Sequence, residues 1–232
     1  IMIVILTGAG ISQESGIATF RDSGGLWENV NVEDVATPQA FARDPDRVLS
    51  FYNARRQALL SPEVKPNAAH LALARLEKEC MWPVIVMAQN IEDLHERTGT
   101  EKLKPLHGQL IKIRCGACKR VFQCEKDMHR TTSCPRCGKK AALRPHIVWF
   151  EEMPCYLDEI AAALSHCRLF VSIGTSGNVY PAAGFVRMAR EAGAQTIELN
   201  LERSAGASAF HDGRYGKAGM VVPAWVEGML SG

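Results

Sequence analysis

Short apolar runs punctuate this chain, and each breaks off in small or polar residues. Residues 1–6 lead into Thr7-Gly8-Ala9-Gly10, 84–88 into Gln89-Asn90, 169–173 into Gly174-Thr175-Ser176, and 196–199 into Asn200. Helical patterns lie between the runs. Asn67 is placed to cap a helix whose Ala69, Leu73 and Leu76 share one face, and 181–191 reads as a second helix stopped by Gly193. Strands alternating with helices predict βαβ units and a parallel sheet. Ligands of open α/β sheets bind beyond the carboxyl ends of the strands. A single strand ending in Gly, Asn, Gln, Ser or Thr reads as a turn, but four such ends point to one shared ligand site. No internal repeat or low-complexity segment interrupts the pattern.

The chain has 232 residues, enough for one large domain or a large and a small one. No apolar run approaches the roughly 20 residues of a membrane helix. The formal net charge is +2, and no basic stripe stands out. Neither nucleic acid nor a membrane surface is therefore the expected partner. Residues 1–6 are too short for a signal peptide and read as a strand. Soluble composition and thiolate metal ligands suggest the cytoplasm, with a mitochondrial setting after removal of a leader as the alternative.

Two features carry chemistry. Gly8-Ala9-Gly10 follows a strand and opens a helix near Ser12, where glycines let backbone approach phosphates. The dehydrogenase fingerprint is incomplete, because its third glycine position holds Gln13. A long polar stretch follows, as expected of a cover over a cofactor. Cys115 and Cys118 form one CxxC pair and Cys134 and Cys137 another, with 15 residues between them. Four thiolates at this spacing close a tetrahedral zinc site with no open position, so the zinc is structural. Cys124 falls outside the spacing, and Cys80, Cys155 and Cys167 read as buried or idle thiols.

Taken together, Gly8-Ala9-Gly10-Ile11-Ser12, Ser15-Gly16-Ile17, Phe20-Arg21, Gly25-Leu26-Trp27, Gln89-Asn90-Ile91, Asp93-Leu94-His95, Leu106-His107-Gly108, the cysteine quartet, Gly174-Thr175-Ser176 and Asn200-Leu201-Glu202 occur in the order found in sirtuins. The chain resembles that family over nearly its whole length, most closely its compact bacterial members that accept acidic acyl groups. The resemblance implies an α/β fold. A Rossmann-type parallel-sheet large domain (1–30, 67–112 and 145–232) would carry a small domain made of a helical module (31–66) and a four-cysteine zinc module (113–144). It implies an NAD-dependent lysine deacylase. The acyl oxygen attacks the ribose carbon bearing nicotinamide, and the products are free lysine, nicotinamide and O-acyl-ADP-ribose. The partners implied are acylated lysine side chains on proteins; the oligomeric state stays open.

By the same resemblance His107 is the catalytic base, and imidazole, with its reference pKa of about 6.5, suits the task. Gly108 would leave room for substrate. Asn90 would meet the ribose or position water. NAD would be held by Gly8, Ala9, Gly10, Ser12, Phe20, Trp27, Gln89, Ile91 and Glu92, with Arg21 on its phosphates. Gly174, Thr175, Ser176, Asn200, Leu201, Glu202 and Ala218 would surround its adenosine half. Val148, Trp149 and Phe150 would form a strand beside the substrate peptide. Tyr52 and Arg55, one helical turn apart, would read a succinyl or malonyl carboxylate, with Arg56 an idle exposed neighbour. Three positions depart from the family: Glu92 stands for a shorter Asp that contacts nicotinamide, Gln13 for a small Ala, and Glu151 for a Gly. A mono-ADP-ribosyltransferase and a non-catalytic NAD-binding zinc scaffold are the rival readings.

Overall fold

The computed structural model describes residues 2–17, 26–27 and 30–231, without the side chains of 26 and 27. Phe20, Arg21 and the side chain of Trp27 therefore lie outside the described residues. The chain opens with strand β1 (Ile3–Thr7) and a 3-10 helix, Ala9–Ser15. Strands β2 (Leu26–Trp27) and β3 (Val30–Asn31) pair antiparallel. Helices α1 (Pro38–Arg43), α2 (Pro45–Leu59) and α3 (Ala68–Glu79) follow, then β4 (Val84–Ala88), α4 (Leu94–Arg97) and β5 (Leu103–Pro105). Next come β6 (Gly108–Cys115), β7 (Val121–Gln123), β8 (Leu143–Ile147) and α5 (Leu157–Ser165). The chain finishes with β9 (Leu169–Ile173), α6 (Phe185–Glu191), β10 (Gln195–Asn200), β11 (Asp212–Tyr215) and α7 (Ala218–Leu230).

Six strands form one sheet in the order β11–β10–β9–β1–β4–β5. Every pair in it is parallel. The chain goes from β1 to β4 on one side and later returns to β9 on the other. The β1/β9 boundary is thus a topological switch point, where a crevice opens at the carboxyl ends of the strands. Both faces of the sheet are apolar, as parallel sheets require. Ile3, Ile5, Leu73, Leu76 and Trp225 pack on the α3/α7 face, and Val4, Leu6, Ile160, Phe170 and Phe185 on the α5/α6 face. The cap at Asn67 is reciprocal: its side chain accepts from Ala69 N–H at 2.9 Å, and its own N–H donates to His70 Nδ1 at 3.3 Å.

The second sheet is antiparallel, β7–β6–β8, and carries the cysteine quartet at one end. Leu49 of α2 packs with Ile113, Met128 and Leu143 beneath the quartet. A third core joins Tyr52 and Phe51 to Leu110, Ile111, Ile147 and Trp149.

Four expectations change. The segment at 9–15 is a tight 3-10 helix ended by Gly16 at φ 79°. The stretch 181–191 divides at Gly184, a poor helix former, into a 3-10 turn and α6. Residues 148–152 form no strand: Val148 N–H still donates to the His107 carbonyl (2.8 Å), but the backbone then turns, with Glu151 at φ +70°. A residue with a Cβ pays strain in that left-handed region, which accounts for Gly as the alternative there. Gly108 has a structural reason beside the clearance for substrate expected of it. Its φ is +81°, and a Cβ would lie 2.0 Å from the His146 carbonyl oxygen of the neighbouring strand.

Arg56 is the sharpest correction. It is fully buried, not idle at the surface. Its Nε donates to the Leu110 carbonyl (3.0 Å), and its Nη1 to Asn53 Oδ1 (2.8 Å) and the Lys126 carbonyl (3.3 Å). The side chain thus ties α2 to β6 and to the loop after β7. Arg56→Ala is expected to cost about 3 kcal/mol in denaturant unfolding, since buried carbonyls lose a charged donor. A loss under about 1 kcal/mol, the range of surface substitutions, would contradict this role.

Candidate functional site

The strand ends of the parallel sheet open onto a cleft of about 1390 Å³, which residues 147–154 and α2 wall on the far side. That exceeds the 300–1,000 Å³ of a typical drug-sized site and suits two ligands meeting. Its floor is set by backbone contact. Gly8 N–H donates to the Ile173 carbonyl (2.9 Å) and Gly10 N–H to the Gly174 carbonyl (2.8 Å). A Cβ on Gly8 would come within 2.8 Å of Gly174 O, and one on Gly10 within 2.7 Å of Gly174 Cα. Gly174 itself has φ +62°, and its Cβ would sit 2.5 Å from Ile11 N. The glycines therefore let two strand-end turns nest against each other, a role beside the phosphate approach expected from the sequence.

Around that floor the hydrogen-bond directions are fixed. Backbone N–H of Asn67 occupies His70 Nδ1, so the proton of the neutral ring is on Nε2, aimed at Ser12 Oγ (3.4 Å). Ser12 in turn donates to Glu92 Oε1. Asn90 Nδ2 donates to the same carboxylate oxygen (2.7 Å) and lies 3.1 Å from the Gly8 carbonyl. Both partners accept only, so Asn90 turns its Nδ2 inward and its Oδ1 the other way. The extra methylene of Glu92 lets its carboxylate reach back to Ser12 and Asn90. Burial pushes its pKa up, against the pull of these donors.

His107 lies beside this group. Its Nδ1 is 2.8 Å from the Gln89 carbonyl, which can only accept. The proton is therefore on Nδ1, and Nε2 carries the lone pair. Burial pulls the pKa of His107 down; the Gln89 carbonyl opposes that more weakly. On the adenosine side expected from the sequence, Asn200 Nδ2 donates to the Thr175 carbonyl (2.8 Å), and Thr175 and Ser172 hydroxyls meet at 3.0 Å. Ser176, Leu201 and Glu202 line the same cleft. Ala218 does not: it borders a smaller adjoining recess of about 280 Å³ shared with Gly10, Gln13 and Asn200.

Across the cleft Tyr52, Arg55, Val148, Trp149 and Phe150 line one wall. Tyr52 is buried, and burial raises its pKa, so it stays a neutral phenol. Trp149 Nε1 donates to its hydroxyl at 2.9 Å. The Arg55 guanidinium lies 3.8 Å over the Phe51 ring. A support unforeseen in the sequence holds Trp149. Arg144 stacks 3.4 Å over the indole, and Glu152 accepts from Arg144, Arg114 and the Trp149 N–H. Nothing in the residue spacing signals it. Ile91 contributes through its carbonyl, which accepts from Leu110 N–H (2.8 Å), as well as its place in the wall. Glu151, exposed, accepts from Gln39 Nε2 at 2.6 Å.

The four cysteine sulfurs lie within 4.8 Å of one another. Cys115–Cys137 is 3.8 Å and Cys118–Cys134 3.7 Å. A zinc tetrahedron with 2.3 Å bonds has edges of about 3.8 Å, so the quartet fits zinc. Backbone N–H of Cys118, with that of Ala117, pulls Cys115 down to about 6. Cys118 is instead pushed up to about 11: the Arg120 N–H lowers it, but desolvation and three neighbouring sulfurs outweigh that. Sulfurs this close do not all ionise without a cation between them.

A model of the Sir2 family matches residues 8–181. The NAD-dependent protein deacylase SIR2rp3 of Trypanosoma brucei brucei is 56% identical over 233 residues, spanning 100% of this chain and 96% of that protein. An NAD-dependent protein deacylase of Vibrio cholerae is 56% identical over 229 residues, 99% of this chain and 93% of its own. Among solved structures, a Sir2 homolog–NAD complex superposes with a TM-score of 0.89 at 36% identity, covering 99% of this chain and 90% of the other. Sir2 bound to an inhibitor, 2'-O-acetyl-ADP-ribose and a deacetylated p53 peptide gives 0.81 at 29% identity, covering 99% and 94%.

The buried histidines make stability pH-dependent. Burial lowers His70 to about 4; burial, helped by His70 alongside, lowers His95 to about 3. In the unfolded chain both protonate near 6.5, so the unfolded state binds more protons below that pH. Their contribution is full above about pH 6.5 and is lost as pH falls toward 4, on the order of 1–2 kcal/mol per histidine by pH 5. Denaturant unfolding at pH 7 and 5 should show a shallower loss for His95→Gln than for wild type. Both lose zinc affinity in acid, so the difference isolates the histidine; equal slopes would contradict it.

Proposed function

The chain belongs to the Sir2 family and is an NAD-dependent protein deacylase; we propose that it removes acetyl and also succinyl and malonyl groups from protein lysines, releasing nicotinamide and O-acyl-ADP-ribose. The observation that carries the acyl range is the pairing of Tyr52 and Arg55 on one wall of the cleft that also holds His107. A neutral phenol and a guanidinium together suit a carboxylate, and an acetyl group needs neither.

Bound NAD supplies the electrophilic ribose carbon and the acceptor for the acyl group. The protein's residues bind and orient around it. The glycine turns form the floor, and Asn90 offers Oδ1, an acceptor for a ribose hydroxyl or a water. His107 serves as the base: with Nδ1–H held by Gln89, Nε2 is ready to take a hydroxyl proton, and its lowered pKa keeps it unprotonated at neutral pH. Gln89, Ile91, Glu92, Thr175, Ser176, Asn200, Leu201 and Glu202 complete the NAD site in this reading, with Ala218 at the edge of the adjoining recess. Val148 and Phe150 flank the lysine, and Trp149 holds the Tyr52 hydroxyl in place. Zinc on Cys115, Cys118, Cys134 and Cys137 has a structural role.

Matched acetyl-lysine and succinyl-lysine peptides, with and without NAD, should both be deacylated only when NAD is present. Arg55→Met should lower succinyl kcat/KM about 100-fold, the loss of one charge-assisted pair worth about 3 kcal/mol, and leave acetyl turnover within a few-fold. Equal losses on both peptides would remove Arg55 as the reader. No succinyl turnover by wild type would confine the enzyme to neutral acyl groups.

A further inference from the structure

The near-neutral balance of the whole chain hides a segregation of charge. Residues 113–144 contain nine Lys and Arg against two Asp and Glu, a net +7. The whole chain carries +2, so the remainder carries −5. A zinc ion on four thiolates brings −2 to the module, which still leaves +5. Neutralising the metal centre therefore accounts for only part of the excess.

The cations are placed and solvent-facing. Lys119, Arg120, Arg136, Lys139 and Lys140 are exposed, and each lies within three residues of a quartet cysteine. Their backbone is held: Cys115 N–H donates to the Arg120 carbonyl (2.9 Å) and Cys134 N–H to the Lys139 carbonyl (3.0 Å). Lys126 and Arg130 are exposed on the same module, and Ala141 N–H ties the Arg130 carbonyl into it (2.9 Å). Among the described residues none of these seven forms an ion pair. The module offers a protein partner little to bury, because Val121 is its one exposed large apolar residue among those described.

We propose that the exposed cations of the zinc module bind the phosphate backbone of nucleic acid without reading its sequence. Protein interfaces draw their energy from buried aromatic and aliphatic anchors, of which the module exposes little. Phosphate binding needs only clustered cations on a fixed frame, and counterion release supplies the driving force. The expectation of no nucleic-acid partner rested on the whole-chain charge, which does not describe this surface.

The test is anisotropy of a labelled duplex of about 20 base pairs with the full zinc-loaded chain over about 50–200 mM salt, beside an acidic peptide of equal charge. Three to five phosphate contacts, at roughly 0.9 each in the log–log slope, predict about 40- to 500-fold weakening across that range, regardless of sequence. Replacing Arg136, Lys139 and Lys140 with Gln should flatten the slope by about 2–3 and leave zinc content and acetyl-peptide turnover unchanged. The same number of substitutions on the sheet half, at Lys78, Arg168 and Arg187, should leave the slope as in wild type. Three results would overturn the proposal: no duplex binding at low salt, acidic peptide binding as tightly as the duplex, or equal losses in the two triple variants.

Discussion

Everything in the site is arranged around one backbone contact: the turn after β1 resting on the turn after β9. Gly8, Gly10 and Gly174 bring the two chains close enough for Gly10 N–H to reach the Gly174 carbonyl at 2.8 Å. No side chain fits between them. The contact closes the switch point of the sheet into a floor and fixes where Ser12, Thr175 and, through Asn200, the far end of the cleft are held. A cleft built on main-chain contact is rigid at its base, and variation is confined to its walls.

The walls get their chemistry from hydrogen bonds whose direction is forced. The Gln89 carbonyl decides which nitrogen of His107 is basic, and the Gly8 carbonyl with Glu92 decides how the Asn90 amide is turned. Trp149 plays the same part for Tyr52, held by Arg144 over its face and Glu152 at its backbone. In each case a group that only accepts or only donates removes the ambiguity of one that does both. The zinc module is attached through a different device, the buried Arg56, whose guanidinium fastens α2 to β6.

Strand ends were legible because apolar runs and their polar stops survive in one dimension. The runs at 84–88 and 169–173 coincide with β4 and β9, and the cysteine spacing translates directly into a tetrahedron. What was not legible depends on who lies across the gap. Arg55 and Arg56 are neighbours in sequence, yet one faces the cleft and the other is sealed under β6. The need for glycine at 108 beside the His146 carbonyl was hidden, because that carbonyl belongs to a neighbouring strand. Charge has the same limit, because a sum over 232 residues does not show that residues 113–144 carry a positive excess and the remainder a negative one.

The most direct measurement of the central claim is NAD affinity and unfolding free energy of Gly174→Ala, taken together by calorimetric titration and denaturant unfolding. If the nested turns make the floor, a single methyl group at φ +62°, 2.5 Å from Ile11 N, must both destabilise the fold and weaken NAD binding by at least about tenfold. A Gly174→Ala protein that binds NAD like wild type, with unchanged stability, would contradict the account.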